Sequence, residues 1–333
     1  MTSIPDSFTG YLVEKDEAGF RRGLRTLTPD DLHDGEVEIR VEWSGVNYKD
    51  GLAATAEGRV ARRYPLVPGV DLAGTVVAST APDFKAGDGV IAHGYDLGVS
   101  HHGGFAEYAR VPAEWVLPLP PGMDARTAMA YGTAGFTAAL SVVALEERGL
   151  DPADGPVLVT GATGGVGSLA VSMLAARGYE VWALTRKQEA HAWLTELGAT
   201  GFLGPEDAPA KGRALESERW AGAVDTVGEA TLPYVLRTLM RRAAVAACGN
   251  ASGATLETTV FPFILRGVAL LGMDSAWQPM ARRRRIWDRL ATDLMPAMLL
   301  ERTATVTLDE LEGALDAILR GEALGRWVVK VAE

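Results

Sequence analysis

The chain has 333 residues, with 32 Lys and Arg against 43 Asp and Glu, and a formal net charge of −11. Its apolar fraction of 47% suits a packed chain of about two domains and is far too high for disorder. A single cysteine excludes a disulfide framework and any multi-thiolate zinc site, and the acidic balance speaks against nucleic-acid or anionic-membrane binding. Met1–Gly10 is polar and contains Pro5 and Asp6, unlike a secretory signal. The longest apolar runs noted, Ala243–Cys248 and Val268–Met273, fall short of the roughly 20 residues of a membrane span. The expectation is a soluble cytoplasmic protein.

From Gly10 to about Leu119 the pattern is short alternating runs cut by Gly, Pro and Asp. Glu36–Trp43 alternates polar and apolar as a half-buried strand does, and Gly74–Ala78 and Gly89–Ala92 read as further strands around a Lys85–Asp88 turn. That predicts a β-rich domain. From about Ala125 strands and helices alternate. Strand Pro156–Thr160 precedes helix Val166–Arg177; strand Glu180–Leu184 precedes helix Gln188–Leu197; strand Ala223–Val227 precedes helix Leu232–Arg241 and strand Ala243–Cys248. Such alternation predicts a parallel sheet covered by helices. The last stretch ends in the strand-like Arg326–Val331. The order predicts a nucleotide-type domain inserted between two pieces of a β-rich one.

Between the first of those strands and its helix lies Thr160-Gly-Ala-Thr-Gly-Gly-Val-Gly167. Glycines at such a turn let backbone amides approach a pyrophosphate at a helix N-terminus. An NAD site would carry an acid about 20 residues on, to accept from the ribose 2′-hydroxyl. This chain has Thr185-Arg186-Lys187 at the second strand's end. A hydroxyl and two cations suit a 2′-phosphate and hence NADPH; the alternative is that both cations are solvated residues opening the next helix. The loop also fits short-chain dehydrogenases, but the one Tyr-x-x-x-Lys, Tyr11 to Lys15, precedes the loop instead of following it.

Gly45-Val-Asn-Tyr-Lys-Asp50 and Pro68-Gly-Val-Asp-Leu-Ala-Gly74 resemble motifs of the medium-chain dehydrogenase/reductases. In zinc-dependent members those motifs carry a Cys and a His-Glu pair; here Asn47 and Val70-Asp71 stand in their places, and no Cys lies between Ile91 and Leu117. The chain is similar to the zinc-independent, quinone-oxidoreductase-like branch, and within it to the bacterial NADPH-dependent acryloyl-CoA reductases. Gly132–Ala138, Trp220–Gly228, Ala246–Gly249, Pro262–Arg266, Asp274-Ser275 and Gly325-Arg326 extend the match along the chain. The bulky Arg186 departs from the Ser-Gly that relatives tend to carry.

The resemblance implies an α/β architecture: a GroES-like catalytic domain over 1–124, a Rossmann NADPH-binding domain over 125–272, and a segment 273–333 that completes the first, with the cofactor between them. It assigns the nicotinamide end to Tyr48, a cofactor contact to Thr133, and the pyrophosphate to Thr163, Gly164, Gly165 and Val166. The 2′-phosphate falls to Thr185, Arg186 and Lys187, and the remaining cofactor contacts to Asn250, Ile264, Ser275, Leu324 and Arg326. No metal is expected. Reducing a double bond conjugated to a thioester needs a donor for the developing enolate oxygen. Asn47 and Tyr48 have that chemistry, and Asp71 would orient one of them; each also has a plain packing or hydrogen-bonding role. His101-His102 reads as loop, Cys248 as packing, and Arg282–Arg285 as a solvated helix face or a CoA phosphate contact, for which Arg62 and Arg63 are better placed. The expected reaction is acryloyl-CoA to propanoyl-CoA. Reduction of quinones or small enones is the alternative, and a non-catalytic, crystallin-like NADPH-binding protein the third. A homodimer paired through Val268–Met273 is the expected assembly.

Overall fold

The computed structural model describes residues 3–296 and 299–332. The chain opens with a hairpin, β1 (Phe8–Asp16) and β2 (Gly19–Leu27), paired antiparallel along its whole length. The alternation predicted from Glu36 onward produces β3 (Val37–Gly45), whose Val37, Ile39 and Val41 are all fully buried. A single helical turn and a half, α1 (Tyr48–Ala53), follows directly. β4 (Asp71–Ser79), β5 (Gly89–His93), β6 (Tyr108–Val111) and β7 (Val116–Pro118) extend the sheet.

The longest helix, α2 (Ala125–Glu147), is broken at Gly132, which takes φ +51. It corrects the expectation that no segment is long and apolar enough to span a membrane. By length and composition α2 meets that test, yet 89% of its apolar window is buried inside the protein, the setting of a core helix.

Beyond it come β8 (Val157–Thr160), α3 (Gly165–Ala176), β9 (Val181–Leu184), α4 (His191–Glu196), β10 (Ala199–Leu203), β11 (Trp220–Asp225), α5 (Leu232–Thr238), β12 (Leu239–Ala247), α6 (Phe261–Arg266) and β13 (Ala269–Gly272). The helix expected over Leu232–Arg241 therefore ends three residues early. Leu239–Arg241 already belongs to β12, where Arg241 and Arg242 lie at the exposed end of the strand and mimic a polar helix face. These six strands form one parallel sheet in the order β10-β9-β8-β11-β12-β13. Numbered within the sheet this is 3-2-1-4-5-6, the doubly wound dinucleotide order, whose ligands bind where the order reverses, beside β8 and β11.

The chain ends with α7 (Met280–Leu290), β14 (Thr303–Thr307), α8 (Leu311–Leu319) and β15 (Arg326–Lys330). β15 pairs antiparallel with β3, so the C-terminus joins the first sheet, ordered β14-β15-β3-β4-β5-β7 with β6 on β3. Two compact units result. One holds the chain up to Thr133, Ala276–Ala291 and the C-terminal stretch; the other holds Ala134–Ser275 with a short piece from Thr292. Each has its own core. Val13, Ile39, Val41, Leu66, Leu72 and Phe105 lie at the centre of the first, and Leu158, Trp220, Tyr234, Val235 and Val245 at the centre of the second.

Candidate functional site

In the first unit the chemistry gathers around Asp71, the opening residue of β4, which is wholly buried. A carboxylate withdrawn from water needs partners. Asn47 Nδ2 donates to its Oδ2 at 2.7 Å, while the Thr133 backbone N–H and hydroxyl both donate to Oδ1. The Arg326 guanidinium stands 3.9 Å from Oδ2. The break in α2 explains this arrangement. Cutting a helix at Gly132 exposes orphan carbonyls on one side and orphan N–H groups on the other. Arg326 covers the carbonyls, donating to Met129 O at 3.2 Å and Ala130 O at 3.1 Å; Asp71 takes the N–H of Thr133 on the other side. Charges of each sign thus meet the helix end that favours them. Gly132 has no room for a side chain: a Cβ there would lie 2.4 Å from Asp71 Oδ2.

Asp50 completes the cluster, and the motif reading did not single it out. Its Oδ2 accepts from the Asn47 backbone N–H at 2.9 Å and from Asn47 Nδ2 at 3.2 Å, and its Oδ1 accepts from Val70 N–H at 2.9 Å. The signal was present as Asn47-x-x-Asp50, the spacing at which a third helical residue reaches back to its cap. Burial, reinforced by the Asp71 charge, pushes the Asp50 carboxyl up to about 7. Burial pulls the Arg326 guanidinium down from its usual value against the opposing pull of Asp71 and Asp50.

The consequence for Asn47 is concrete. Its amide nitrogen serves Asp71 and Asp50, and its amide oxygen accepts from Arg326 Nη1 at 3.2 Å. Asn47 is therefore committed within the protein. Arg326, 3% exposed, is likewise an interior residue. Tyr48, which starts α1, keeps 41% of its surface exposed, and Leu324 keeps 40%. An amide, a valine and a carboxylate held by three donors offer no thiolate or imidazole for zinc. Among the described residues no three His, Cys, Asp or Glu side chains converge as metal ligands.

In the second unit β8 runs into the glycine loop. Thr160 Oγ1 donates to Asp225 Oδ1 at 2.7 Å, and Asp225 also accepts from Thr231 Oγ1 and Gly228 N–H, which ties the ends of β8 and β11 together. Burial raises the Asp225 carboxyl above its ordinary value. A Cβ on Gly167 would sit 2.3 Å from Gly161 O, so the helix can start this close to the loop only with glycine there. A Cβ on Gly164 would meet nothing nearer than Gly161 O at 3.4 Å, leaving the loop open on that side. α3 begins at Gly165 with no acid in its first turn, so the N–H groups from Gly165 and Val166 onward face no competing carboxylate. Thr163 Oγ1 lies 3.5 Å from Thr185 Oγ1, and Thr185 accepts from Lys187 N–H at 3.1 Å. The loop and the end of the second strand are thus neighbours, with Lys187 half-buried and Arg186 exposed. The residues fit a pyrophosphate and a 2′-phosphate.

Cys248, Asn250 and Asp274 line an open cleft at the ends of β12 and β13. Cys248 Sγ donates to Asp225 O at 3.4 Å, and burial pushes its thiol up to about 12, which favours the protonated form. Ser275 is half-buried, whereas Ile264 is 67% exposed on α6 within an apolar patch. The basic run Arg282–Arg285 is not simply a solvated face: Arg283 is wholly buried, and only Arg284 and Arg285 are exposed. Arg62 and Arg63 are exposed as well. His101 and His102 are buried beside His33, and the main chain engages both ring nitrogens of each, through His102 O and Asp34 O for His101 and Val67 N–H and Asp31 O for His102.

Comparison with known proteins places the chain in a family. Residues 33–121 match the model described as alcohol dehydrogenase GroES-like domain, and residues 165–288 the model described as zinc-binding dehydrogenase. The chain is 49% identical to acrylyl-CoA reductase AcuI of Ruegeria pomeroyi, over 97% of this chain and 99% of that one. It is 48% identical to the Bacillus subtilis protein named "Putative quinone oxidoreductase YhfP", with the same coverage of each chain. The crystal structure of the Salmonella enterica yhdH oxidoreductase in complex with NADP superposes with a TM-score of 0.95 at 44% identity, covering 97% of this chain and all (100%) of that one. The B. subtilis yhfP structure, which has NAD bound, also gives 0.95, at 47% identity over 98% of this chain and 100% of that one.

Proposed function

The chain belongs to the zinc-independent branch of the medium-chain dehydrogenase/reductase family, and from that premise we propose that it reduces the double bond of a short 2-enoyl-CoA with NADPH, acryloyl-CoA to propanoyl-CoA. The observation that carries the reading is the buried Asn47–Asp71–Arg326 cluster. By the motif resemblance, Asn47 and Asp71 of this cluster stand where zinc-dependent members carry metal ligands, and here they are hydrogen-bonded to one another. Oxidising an alcohol benefits from a Lewis acid on its oxygen; a double bond already polarised by a thioester accepts hydride without one. The 49% identity to an acrylyl-CoA reductase supports the substrate class.

Bound NADPH supplies the hydride for the β-carbon, and a proton completes the α-carbon. In this reading the first-turn N–H groups of α3, with Thr163, hold the pyrophosphate, and Arg186 and Lys187 the 2′-phosphate. Tyr48, exposed at the start of α1, donates from its hydroxyl to the thioester oxygen as negative charge builds there. Asn47 and Asp71 are positioning residues, since their polar atoms are spent on one another and on Arg326, Thr133 and Asp50. They fix the first residue of α1 and hence the direction of Tyr48.

The test compares kcat/KM with NADPH for acryloyl-CoA, a free small enone and a quinone. The thioester is expected to exceed both by at least tenfold. Equal values would overturn the CoA reading in favour of the quinone or enone reductase that the YhfP name suggests, and no NADPH oxidation with any of the three would favour a non-catalytic binding protein. In the same assay Arg186→Ala with Lys187→Ala is expected to raise the KM for NADPH about tenfold, the loss of a charge-assisted contact, and to leave NADH unaffected.

A further inference from the structure

Trp277 keeps 59% of its surface exposed, yet the main chain on both sides of it is hydrogen-bonded. Its two flanking carbonyls are both clamped. Ala276 O accepts from Tyr95 N–H at 2.8 Å and from Arg283 Nη2, and Gln278 O accepts from Arg283 Nε at 3.1 Å. Arg283 is itself wholly buried, donating to His93 O at 2.9 Å and lying 4.2 Å from the Tyr95 ring centre. Trp287 donates from Nε1 to His93 Nε2 at 2.9 Å, which fixes the other side of the clamp. The Tyr95 ring stacks on Trp115 and meets Trp277 edge-on at 5.5 Å.

This support involves backbone strain. Tyr95 adopts φ +49, a left-handed conformation that a bulky aromatic rarely takes, directly after Gly94 at φ +72. A Cβ on Gly94 would lie 2.8 Å from Arg283 Nη2. Strain, a buried guanidinium and an aromatic stack converge on presenting one indole to solvent. A rigidly displayed tryptophan gives a large contact face at little conformational cost. The platform belongs to the same unit as the candidate site and is tied to it through β5: His93, whose main chain anchors the clamp, is the register partner of Asp71 across β4 and β5. The helix that follows Trp277 exposes Arg284 and Arg285. A flat aromatic face beside positive charge is the chemistry that receives a purine carrying phosphates.

We propose that Trp277 stacks the adenine ring of the substrate's coenzyme A moiety. This rests on the enoyl-CoA reading above, and the experiment separates the two. The wild type and Trp277→Ala are assayed with acryloyl-CoA and with the acryloyl thioester of N-acetylcysteamine, which lacks the nucleotide. Trp277→Ala is expected to raise the KM for acryloyl-CoA about tenfold, in line with loss of one base–aromatic stack. Its kcat, its KM for NADPH and its kinetics on the truncated thioester should stay as in the wild type, and Trp277→Phe should recover part of the loss. An equal loss on both thioesters, an unchanged KM for acryloyl-CoA, or a raised KM for NADPH would each overturn the assignment. A wild type that prefers acryloyl-CoA, with the preference kept in Trp277→Ala, overturns the platform alone; a wild type that reduces neither thioester overturns the functional reading itself.

Discussion

At Asp50 removal from water and the neighbouring Asp71 carboxylate act in the same direction, and both favour the protonated acid. Its folded pKa of about 7 lies above the ordinary 3.8. The folded protein therefore holds more protons than the unfolded chain between those values, and this group's contribution to stability falls as pH rises through that window. His33 and His102 act oppositely. Burial lowers them to about 4 and about 3 from the ordinary 6.5, so the unfolded chain takes up their protons first and stability falls as pH drops below that ordinary value. The wild-type profile mixes both slopes, so a variant is needed to resolve them. Urea midpoints for wild type and Asp50→Asn, measured from pH 5 to pH 8, should show the wild type losing ground to the variant as pH rises. A difference that is constant across that range would mean Asp50 ionises as an ordinary surface acid.

At the scale of the elements, the break in α2 turns one helix into two facing ends, and the site is assembled on those ends. Gly132→Ala is expected to cost about 2–6 kcal/mol: about 1–3 for an alanine at φ +51 and ψ −155, a region essentially confined to glycine, and about 1–3 for forcing a methyl against Asp71. Enoyl reduction should fall with it, because Asp71 and Arg326 can no longer both reach their helix ends. Thermal melts and kcat on the same preparation check this, and a variant as stable and active as wild type would show that the kink is incidental. The kink also explains what could be read from the residues and what could not. Most strands of the parallel sheet were legible because each is a short apolar run closed by glycine or a polar turn, as in Pro156–Thr160, whereas β10, whose apolar residues are interrupted by Thr200 and Gly201, was not. α2 was not, because it is apolar on nearly all sides and carries no amphipathic stripe. Within the site, Asn47 and Asp71 stood out through their motifs. The interior role of Arg326 did not, because it depends on carbonyls about 200 positions away in the chain, brought near only by β15 joining β3.

For the whole molecule the parallel sheet poses a question that its own unit does not answer. β13 is its last strand, paired on one side with β12, and an unpaired strand edge invites another chain. Leu270 on β13 is 37% exposed, and Val260, Phe261, Ile264 and Leu265, on or just before α6, are exposed by 61, 44, 67 and 53%. Apolar side chains next to an open backbone edge suit a self-complementary partner, because a two-fold axis can pair β13 with its own copy. This argument predicts a homodimer joined along β13, with Ile264, a cofactor contact by resemblance, lying in the apolar patch beside that edge. Analytical ultracentrifugation at micromolar concentration is expected to give twice the chain mass for wild type. Ile264→Glu with Leu270→Lys should give the single-chain mass, with a far-ultraviolet circular dichroism spectrum unchanged from wild type. A wild type that sediments at the single-chain mass, or a double variant that stays dimeric, would rule out pairing through this edge.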